Sequence, residues 1–223
     1  MRINQYVAAS SGLSRRAADI AIADGHVIIN GAPATIGQAV PPGADVSLDG
    51  RRLQPPTHHT YLMLHKPSGY VTSRARQGSD PTIYDLLPTK YHSLRPAGRL
   101  DRDSSGLLLL SDDGSFIQRH THPSYEHGKL YELELDRPVT PAAVHQLERG
   151  VKLKDGPSQL QIVSHHGLRL IALLHEGRNR QVRRTLGAVG YSVKRLHRLQ
   201  VGEYQLGDLP SGNWQILPAT EPA

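Results

Sequence analysis

A carboxylate lies between two guanidinium groups in residues 98–106, where Asp101 is flanked by Arg99 and Arg102. A carboxylate held among cations stays in its charged form, in which it can attack an electrophilic carbon or accept a proton. Glycines at both ends of the segment allow the backbone to turn sharply and to approach a ligand closely. A surface loop with ordinary ion pairs would have the same composition, so the pattern alone leaves a catalytic and a structural interpretation open.

The residues after this loop predict the element that positions it. Residues 107–110 are four leucines between the loop and a turn at residues 111–114. So short an apolar run predicts a strand that is buried on both faces. A second strand is predicted at residues 129–136, where apolar and charged side chains alternate. The alternation turns Tyr131 toward the interior, so the spacing alone predicts a core tyrosine.

A second concentration of charge lies at residues 175–198. This segment has seven lysines and arginines against one glutamate, and it accounts for the whole formal net charge of +6. The segment contains a turn at residues 175–179 and a predicted helix at residues 180–189. A basic patch in an otherwise balanced protein favours a polyanion such as nucleic acid as the partner. A solvated helix face is the alternative, and charge alone does not separate the two.

The composition excludes several classes of protein. The 223 residues include no cysteine, which excludes disulfides and thiolate metal sites. No apolar run reaches membrane-spanning length and no signal peptide is recognisable, so we expect a cytoplasmic protein with no membrane partner. His58 and His59 lie in a polar, proline-containing stretch, residues 54–60, with no third ligand nearby. We interpret this stretch as a linker and expect no metal site.

Residues 1–53 predict a small module of two helices and two short strands. Ser14 is a good N-cap for the second helix, residues 15–24, and strands are predicted at residues 27–29 and 46–48. Arg15 and Arg16 lie at the start of that helix beside free backbone N–H groups, where they could bind a phosphate. A two-helix cap on the main domain is the alternative interpretation.

Several motifs resemble known families. The first module resembles the S4 RNA-binding domain in its Leu-Ser-Arg-Arg-x-Ala-Asp and Gly-x-Val-x-x-Asn-Gly segments. The Asp101 loop and its leucines resemble the signature of the ribosomal RNA pseudouridine synthases of the RsuA-like family, Gly-Arg-Leu-Asp-x-Asp-[Ser/Thr]-x-Gly-Leu-[Leu/Val]-[Leu/Val]-[Leu/Met]. Lys-Pro-Ser-Gly at residues 66–69 and Glu-Gly-Arg-Asn-Arg-Gln-Val-Arg-Arg at residues 176–184 are similar to two further motifs of that family.

The resemblance implies roles for individual residues. Asp101 corresponds to the catalytic nucleophile, Tyr131 to a tyrosine that stacks near the target base, and Arg183 to the arginine that pairs with the aspartate. Lys66 is expected to contact the RNA backbone, although a structural turn explains its motif equally well. The arginines expected to bind RNA are Arg15, Arg16, Arg99, Arg102, Arg178, Arg180 and Arg184. Thr185 departs from the methionine that is common at its position, which affects packing rather than chemistry.

The resemblance also implies the fold and the reaction. We expect an α+β protein with an S4-type domain at residues 1–53, a linker at 54–60, and a synthase domain at 61–223 whose mixed, mainly antiparallel sheet is flanked by helices. The expected reaction is the isomerisation of a flipped-out uridine to pseudouridine in ribosomal RNA. No cofactor is expected because this conversion involves no redox change.

The motifs also indicate which ribosomal RNA is the partner. The wording of the motifs favours 23S over 16S ribosomal RNA, as free RNA or within a ribosome-assembly intermediate, and we expect a monomer. The alternative function is a noncatalytic S4-type RNA-binding or ribosome-assembly factor. Such a protein would have no reason to bring Asp101, Tyr131 and Arg183 into one pocket, so their convergence separates the two hypotheses.

Overall fold

The computed structural model describes residues 1–55, 58–76, 78–125 and 127–218. The chain forms two compact units, residues 1–59 and residues 60–223. The predicted linker, residues 54–60, includes residues 56 and 57, which lie outside the described residues. Each unit has a hydrophobic core of its own.

The first unit packs two helices against a small antiparallel sheet. The Ser14 hydroxyl accepts a hydrogen bond from the Ala17 N–H at 3.1 Å, which starts the second helix as the capping pattern predicts. Ile3, Val7 and Val27 are fully buried in the core between helices and sheet. The elements are α1 (Ile3–Ser11), α2 (Arg15–Ala23), β1 (Val27–Ile29), β2 (Ala32–Pro33), β3 (Val46–Leu48) and β4 (Arg51–Arg52), with the sheet order β2-β1-β3-β4.

In its described residues, the second unit is built on a nine-stranded sheet with three α-helices, short 3₁₀ helices and a separate two-stranded hairpin. Its strands are β5 (Tyr61–Lys66), β6 (Arg95–Ala97), β7 (Ser105–Ser111), β8 (Lys129–Leu135), β9 (Val151–Leu153), β10 (Gly156–Ser158), β11 (Gln161–His166), β12 (Arg169–Leu174), β13 (Val193–Val201), β14 (Tyr204–Gln205) and β15 (Trp214–Ile216). Its α-helices are α3 (Gly114–Thr121), α4 (Pro141–Arg149) and α5 (Gln181–Ala188). The main sheet has the order β11-β12-β8-β13-β7-β5-β15, with β14 beside β13 and β6 beside β7, while β9 and β10 form the hairpin.

The leucine run is a central strand, as predicted. Leu107 and Leu109 contribute to a core on one face of β7 with Phe116. Leu108 and Leu110 contribute to a second core on the other face. All four leucines are 0% exposed. Because both faces of β7 are packed, the loop at its start is attached to one of the most rigid parts of the molecule.

Strand β7 joins the two halves of the main sheet through a short parallel pairing with β13. The paired residues are Ser105 with His197 and Gly106 with Arg198, whereas the other strand pairs of this sheet in the described residues are antiparallel. A Cβ on Gly106 would lie 2.3 Å from the Arg198 carbonyl oxygen. Glycine is therefore required here, because a side chain would push the two strands apart.

The sheet is thus mixed and mainly antiparallel, and the predicted α+β fold is confirmed. A core cluster between β8, β12, β13, α4 and α5 includes Leu133, Leu147 and Leu186, each 0% exposed. None of the helices in the described ranges has the length and apolar character needed to cross a membrane. The same ranges contain no group of three or more His, Asp or Glu side chains arranged to hold a metal ion.

Candidate active site

A buried lysine binds the backbone of the Asp101 loop and holds it in place. Lys66, at the end of β5, is 0% exposed. Its Nζ donates to the carbonyl oxygens of Pro67 at 3.0 Å, Asp101 at 3.1 Å and Ser104 at 2.7 Å, which uses the three protons of an ammonium group. Burial lowers the pKa of Lys66 from 10.5 to about 8, although the nearby Asp101 and Asp103 carboxylates oppose that change.

The expected contact of Lys66 with RNA is therefore wrong. A side chain with no exposed surface and three internal acceptors has nothing to offer an RNA phosphate. The structural interpretation of its motif is the correct one. Gly69 of the motif and Thr72, three residues after it, support the same loop, because the Gly69 N–H donates to the Arg102 carbonyl at 2.7 Å and the Thr72 hydroxyl donates to the Leu100 carbonyl at 2.8 Å.

The three predicted catalytic side chains line one cavity of about 210 Å³. Asp101 comes from the loop before β7, Tyr131 from β8 and Arg183 from α5, so segments distant in sequence meet here. The Asp101 side chain retains 30% of its exposure, which leaves its carboxylate accessible from the cavity. A bare RNA-binding module has no use for such a convergence.

The direct ion pair of Asp101 differs from the expected one. The Arg180 Nη1 lies 3.6 Å from the Asp101 Oδ2, and Arg180 also donates to both oxygens of Asp103 at 3.0 and 2.9 Å. These hydrogen bonds lower the pKa of the Asp103 carboxyl. Arg180 reaches this position from a left-handed backbone conformation, with φ +46°, at the start of α5.

Arg183 binds the same loop at Asp103, two residues after Asp101. Its Nη2 lies 3.3 Å from the Asp103 Oδ2 and donates to the Asp103 carbonyl at 3.1 Å, while its Nη1 donates to the Val193 carbonyl at 2.7 Å. The expected direct pairing with Asp101 is thus corrected: Arg183 is tied to the backbone beside Asp101 and to Asp103, and Arg180 faces Asp101.

Two further arginines that are expected to bind RNA also have partners within the protein. Arg184 donates to both oxygens of Asp155, at 2.8 and 2.9 Å. Arg178 donates to Asp155 at 3.1 Å and to the carbonyl oxygens of Asp155, Gly156 and Pro157 in the hairpin. These contacts tie both residues to the turn of the β9–β10 hairpin and hold the start of α5 against it, and their roles in RNA binding stay predictions.

The remaining arginines of the prediction are more accessible. Arg99 is exposed, lines the cavity and has no carboxylate within 4.0 Å among the described residues. Arg102 lies 3.2 Å from Asp80 with 61% of its side chain exposed. In the first unit, Arg15 and Arg16 are exposed on the first turn of α2. Their roles in RNA binding stay predictions, and these four guanidinium groups are free enough to fulfil them.

Tyr131 fits both the core position that its spacing predicts and the place near the base that the resemblance implies. It is 6% exposed and packs in the core with Leu133 and Leu135, yet it also forms part of the cavity wall. Arg198 lies directly opposite it on β13. An aromatic ring fixed by its neighbours in this way is well suited to hold an unstacked base.

Lys129 and Arg198 also line the cavity, and the sequence did not single them out for a role in it. Strand β13 was not predicted, since the charges of residues 193–201 obscure its apolar pattern. The sequence did contain a signal for Lys129: it lies two residues before Tyr131, and the alternation of the strand places both side chains on the same face.

Comparisons with known proteins agree with this geometry. The sequence profile of the RNA pseudouridylate synthase family matches residues 60–188, and that of the S4 domain matches residues 1–46. The ribosomal small subunit pseudouridine synthase A of Pasteurella multocida is 37% identical over 99% of this chain and 97% of its own. The dual-specificity RNA pseudouridine synthase RluF of Escherichia coli is 33% identical over 99% of this chain and 77% of its own.

A solved structure described as a pseudouridylate synthase superimposes with a TM-score of 0.71 at 30% identity, covering 97% of this chain and 96% of its own. The resemblance to the RsuA-like family is thereby confirmed, and the S4 domain with it. With its whole length matched and the synthase profile covering more than half of it, the chain belongs to the RNA pseudouridine synthases of the RsuA-like family, which are isomerases.

Proposed function

We propose that this protein converts one uridine of ribosomal RNA to pseudouridine, with Asp101 as the catalytic nucleophile. The proposal rests chiefly on one observation, the convergence of Asp101, Tyr131 and Arg183 on a single cavity. The relatives named for the ribosomal small subunit and for dual specificity support ribosomal RNA as the substrate class.

The reaction breaks the C–N glycosidic bond of uridine, turns the uracil and rejoins it to the same ribose through carbon. Atoms and electrons balance within the nucleotide, so the chemistry calls for a carboxylate and no external reagent. Three roles are open to the Asp101 carboxylate: attack on the ribose, attack on the base, or removal of a ribose proton. Each role needs the partly exposed carboxylate beside the substrate.

The surrounding residues divide the remaining work. Tyr131 covers the extruded base, and Arg180 and Arg183 keep the loop that carries Asp101 in place. A uridine inside folded RNA must first leave its stack, which costs a few kcal/mol. Contacts of RNA phosphates with exposed cations such as Arg99 offset this cost.

For the target RNA we propose 23S ribosomal RNA, on the wording of the motifs around Asp103 and at residues 176–184. The proposed working state is a cytoplasmic monomer. The names of the relatives include the small subunit, so the experiment has to examine both ribosomal RNAs.

The test is to map pseudouridines in 16S and 23S RNA from cells that lack the gene and from cells complemented with the wild type or with Asp101→Asn. The wild type should restore one modification, whereas Asp101→Asn should restore none and still bind the RNA with nearly unchanged affinity. Asp208→Asn, which removes an exposed carboxylate outside the cavity, is the matched control and should behave as the wild type.

Each outcome has a distinct meaning. Turnover by Asp101→Asn would refute the assignment of the nucleophile. A modification in 16S RNA would overturn the choice of target but not the reaction. Identical maps with and without the protein would favour the noncatalytic RNA-binding alternative.

A further inference from the structure

Arg198 is a buried cation that the proposed reaction does not yet use. It lies on β13, is 3% exposed and contributes to the cavity wall. Its Nε donates to the Leu107 carbonyl at 2.8 Å and its Nη1 to the Arg99 carbonyl at 3.4 Å. Its Nη2 has no hydrogen-bond partner among the described residues. A buried, unpartnered donor on a guanidinium group is costly, so its retention at a cavity needs an explanation.

The charge of Arg198 also has no direct ion-pair partner in the part of the chain that the structure describes. Among the described residues, no carboxylate oxygen lies within 4.0 Å of its guanidinium nitrogens, in contrast to Arg180 and Arg183, which share Asp103 in the same cavity. Hydrogen bonds to carbonyl oxygens satisfy donors but leave the positive charge without a counterion. A buried cation in this state attracts an anion to the adjoining space.

Lys129 places a second cation in the same space. Its only hydrogen bond in the described part of the chain is a long one, 3.4 Å from Nζ to the His127 carbonyl, and it too has no carboxylate within 4.0 Å. Burial lowers the pKa of Lys129 and the Arg198 charge lowers it further, while the more distant Glu176 carboxylate opposes the change. The two cations therefore repel each other inside the cavity, and an anion between them would relieve the repulsion.

The pairing of β8 with β13 places Lys129 and Arg198 near Tyr131. Lys129 and Tyr131 are two residues apart on β8 and lie on the same face, about 6.6 Å apart along the strand. Arg198 lies directly opposite Tyr131 on β13, so the ring has a cation beside it on two sides. A nucleotide whose base lies against Tyr131 would bring its own phosphate close to both cations.

We propose that Arg198 and Lys129 form a binding subsite for a backbone phosphate adjacent to the target uridine. The proposal deepens the proposed function, on which it rests, by assigning the part of the cavity that holds the sugar-phosphate chain. Arginine offers a phosphate planar paired donors and lysine offers a point charge, so the two residues complement each other. Docked in this way, the phosphate fixes the ribose in front of Asp101.

The experiment compares ligands that differ only in the phosphate. Binding of uridine, uridine 5′-monophosphate and uridine 3′-monophosphate is measured by NMR titration for the wild type, Lys129→Met, Arg198→Lys and Lys194→Met. Lys194 is exposed on the same strand as Arg198 and lies outside the cavity, which makes its variant the matched control. Thermal unfolding of each variant accompanies the titration, because Arg198 also bonds the backbone of β7.

We expect at least one monophosphate to bind the wild type about tenfold more tightly than uridine. Lys129→Met should remove most of that advantage and leave the uridine affinity within about twofold of wild type, and Lys194→Met should change neither. Arg198→Lys, which keeps the charge but loses the paired donors, should give an intermediate loss. The 5′ or 3′ preference identifies which side of the uridine the subsite holds, and either preference supports the proposal.

Three results would overturn it: equal affinities of the wild type for uridine and both monophosphates, equal losses of uridine and monophosphate binding in Lys129→Met, or no monophosphate binding at millimolar concentration. Equal losses would assign the residues to the base instead. These measurements need no turnover, whereas the proposed function is judged by pseudouridine in cellular RNA, so the two can fail separately.

Discussion

Helices α2 and α5 both begin among arginines, yet they use these side chains in opposite ways. On α2, Arg15 and Arg16 point into solvent and have no carboxylate within 4.0 Å among the described residues. Around the start of α5, each of four arginines lies within 4.0 Å of a carboxylate. Those arginines are Arg178, Arg180, Arg183 and Arg184.

The difference teaches that formal charge in a sequence is not the same as charge available to a ligand. Asp103 and Asp155 lie in different segments, the Asp101 loop and the turn of the β9–β10 hairpin, and each pairs with two of these arginines. The basic excess of residues 175–198 is therefore largely committed to positioning. We expect the arginines of α2 to affect RNA affinity and those of α5 to affect the rate of the reaction.

Lys66 is the most extreme case of a cation used only for structure, and its variant has the largest expected effect. Lys66→Met removes the donor shared by three carbonyl oxygens while keeping a side chain of similar volume. We expect the free energy of unfolding to fall by about 3 kcal/mol, measured by urea denaturation, because buried acceptors are left unsatisfied. Lys152→Met, which removes an exposed lysine on β9, should be neutral. An unchanged stability in Lys66→Met would contradict the structural role.

Asp103→Ala tests the α5 half of the comparison. It removes the carboxylate that Arg180 and Arg183 share and leaves only the hydrogen bond from Arg183 to the backbone of residue 103, so the Asp101 carboxylate is held less firmly and Arg180 can close on it. We expect kcat to fall about 100-fold with little change in RNA affinity, since misplacement of a catalytic group by about 1 Å has that effect.

Asp155→Ala is the matched control for Asp103→Ala. It also frees two arginines of α5, but on the side of the hairpin rather than of Asp101. Its loss of kcat should be far smaller. Equal losses in the two variants would show that α5 acts as a single rigid unit and would break the distinction between its two sides.

The α2 half of the comparison predicts a binding effect. Arg15→Ala combined with Arg16→Ala should weaken RNA binding about tenfold at low salt and leave kcat unchanged. In a plot of the logarithm of the RNA association constant against the logarithm of the salt concentration, the slope should become shallower by about 1.4 to 1.8, the value for two lost phosphate contacts. Arg184→Ala, whose guanidinium is already paired with Asp155, should leave that slope nearly unaltered. A larger change in Arg184→Ala than in the α2 variant would reverse the comparison.

The smallest predicted effect is a change in the pKa of Asp155. Hydrogen bonds from Arg184 lower the pKa of Asp155 to about 2 from the ordinary 3.8. The resulting stabilisation is complete above 3.8 and is lost as the pH falls through about 2. In Arg184→Ala the pKa of Asp155, measured by carboxyl-carbon NMR, should rise toward 3.8. An unshifted value would mean that Arg178 alone holds the carboxylate.

Local patterns predicted some elements of this fold, among them β7 and β8 but not β13, while long-range pairing decided which site residues meet. The four leucines of β7 and the alternation of β8 were sufficient to place both strands, because burial follows directly from their spacing. No local pattern predicts a fully buried Lys66, since lysine is almost never buried without partners and its acceptors Asp101 and Ser104 lie 35 and 38 residues away.

The ion pairs of the site could not be predicted from local sequence patterns either. The resemblance directed attention to Arg183 as the partner of Asp101, but the left-handed backbone at Arg180 turns that side chain toward Asp101 instead. Such a conformation is rare for arginine and leaves no trace in hydrophobic periodicity. Arg198 escaped notice for a related reason, because its strand is recognised only once its neighbours β7 and β8 are known.

The short parallel pairing between β7 and β13, which forms the seam of the main sheet, has a consequence for how the enzyme folds. Ser105 and His197, which are hydrogen-bonded across it at 2.9 Å, are 92 positions apart in the chain. Closing so long a loop is slow relative to forming hairpins, so the two half-sheets can each form before they join. Because Asp101 belongs to one half and Tyr131 to the other, refolding protein should regain its secondary structure first and its turnover only when the seam closes.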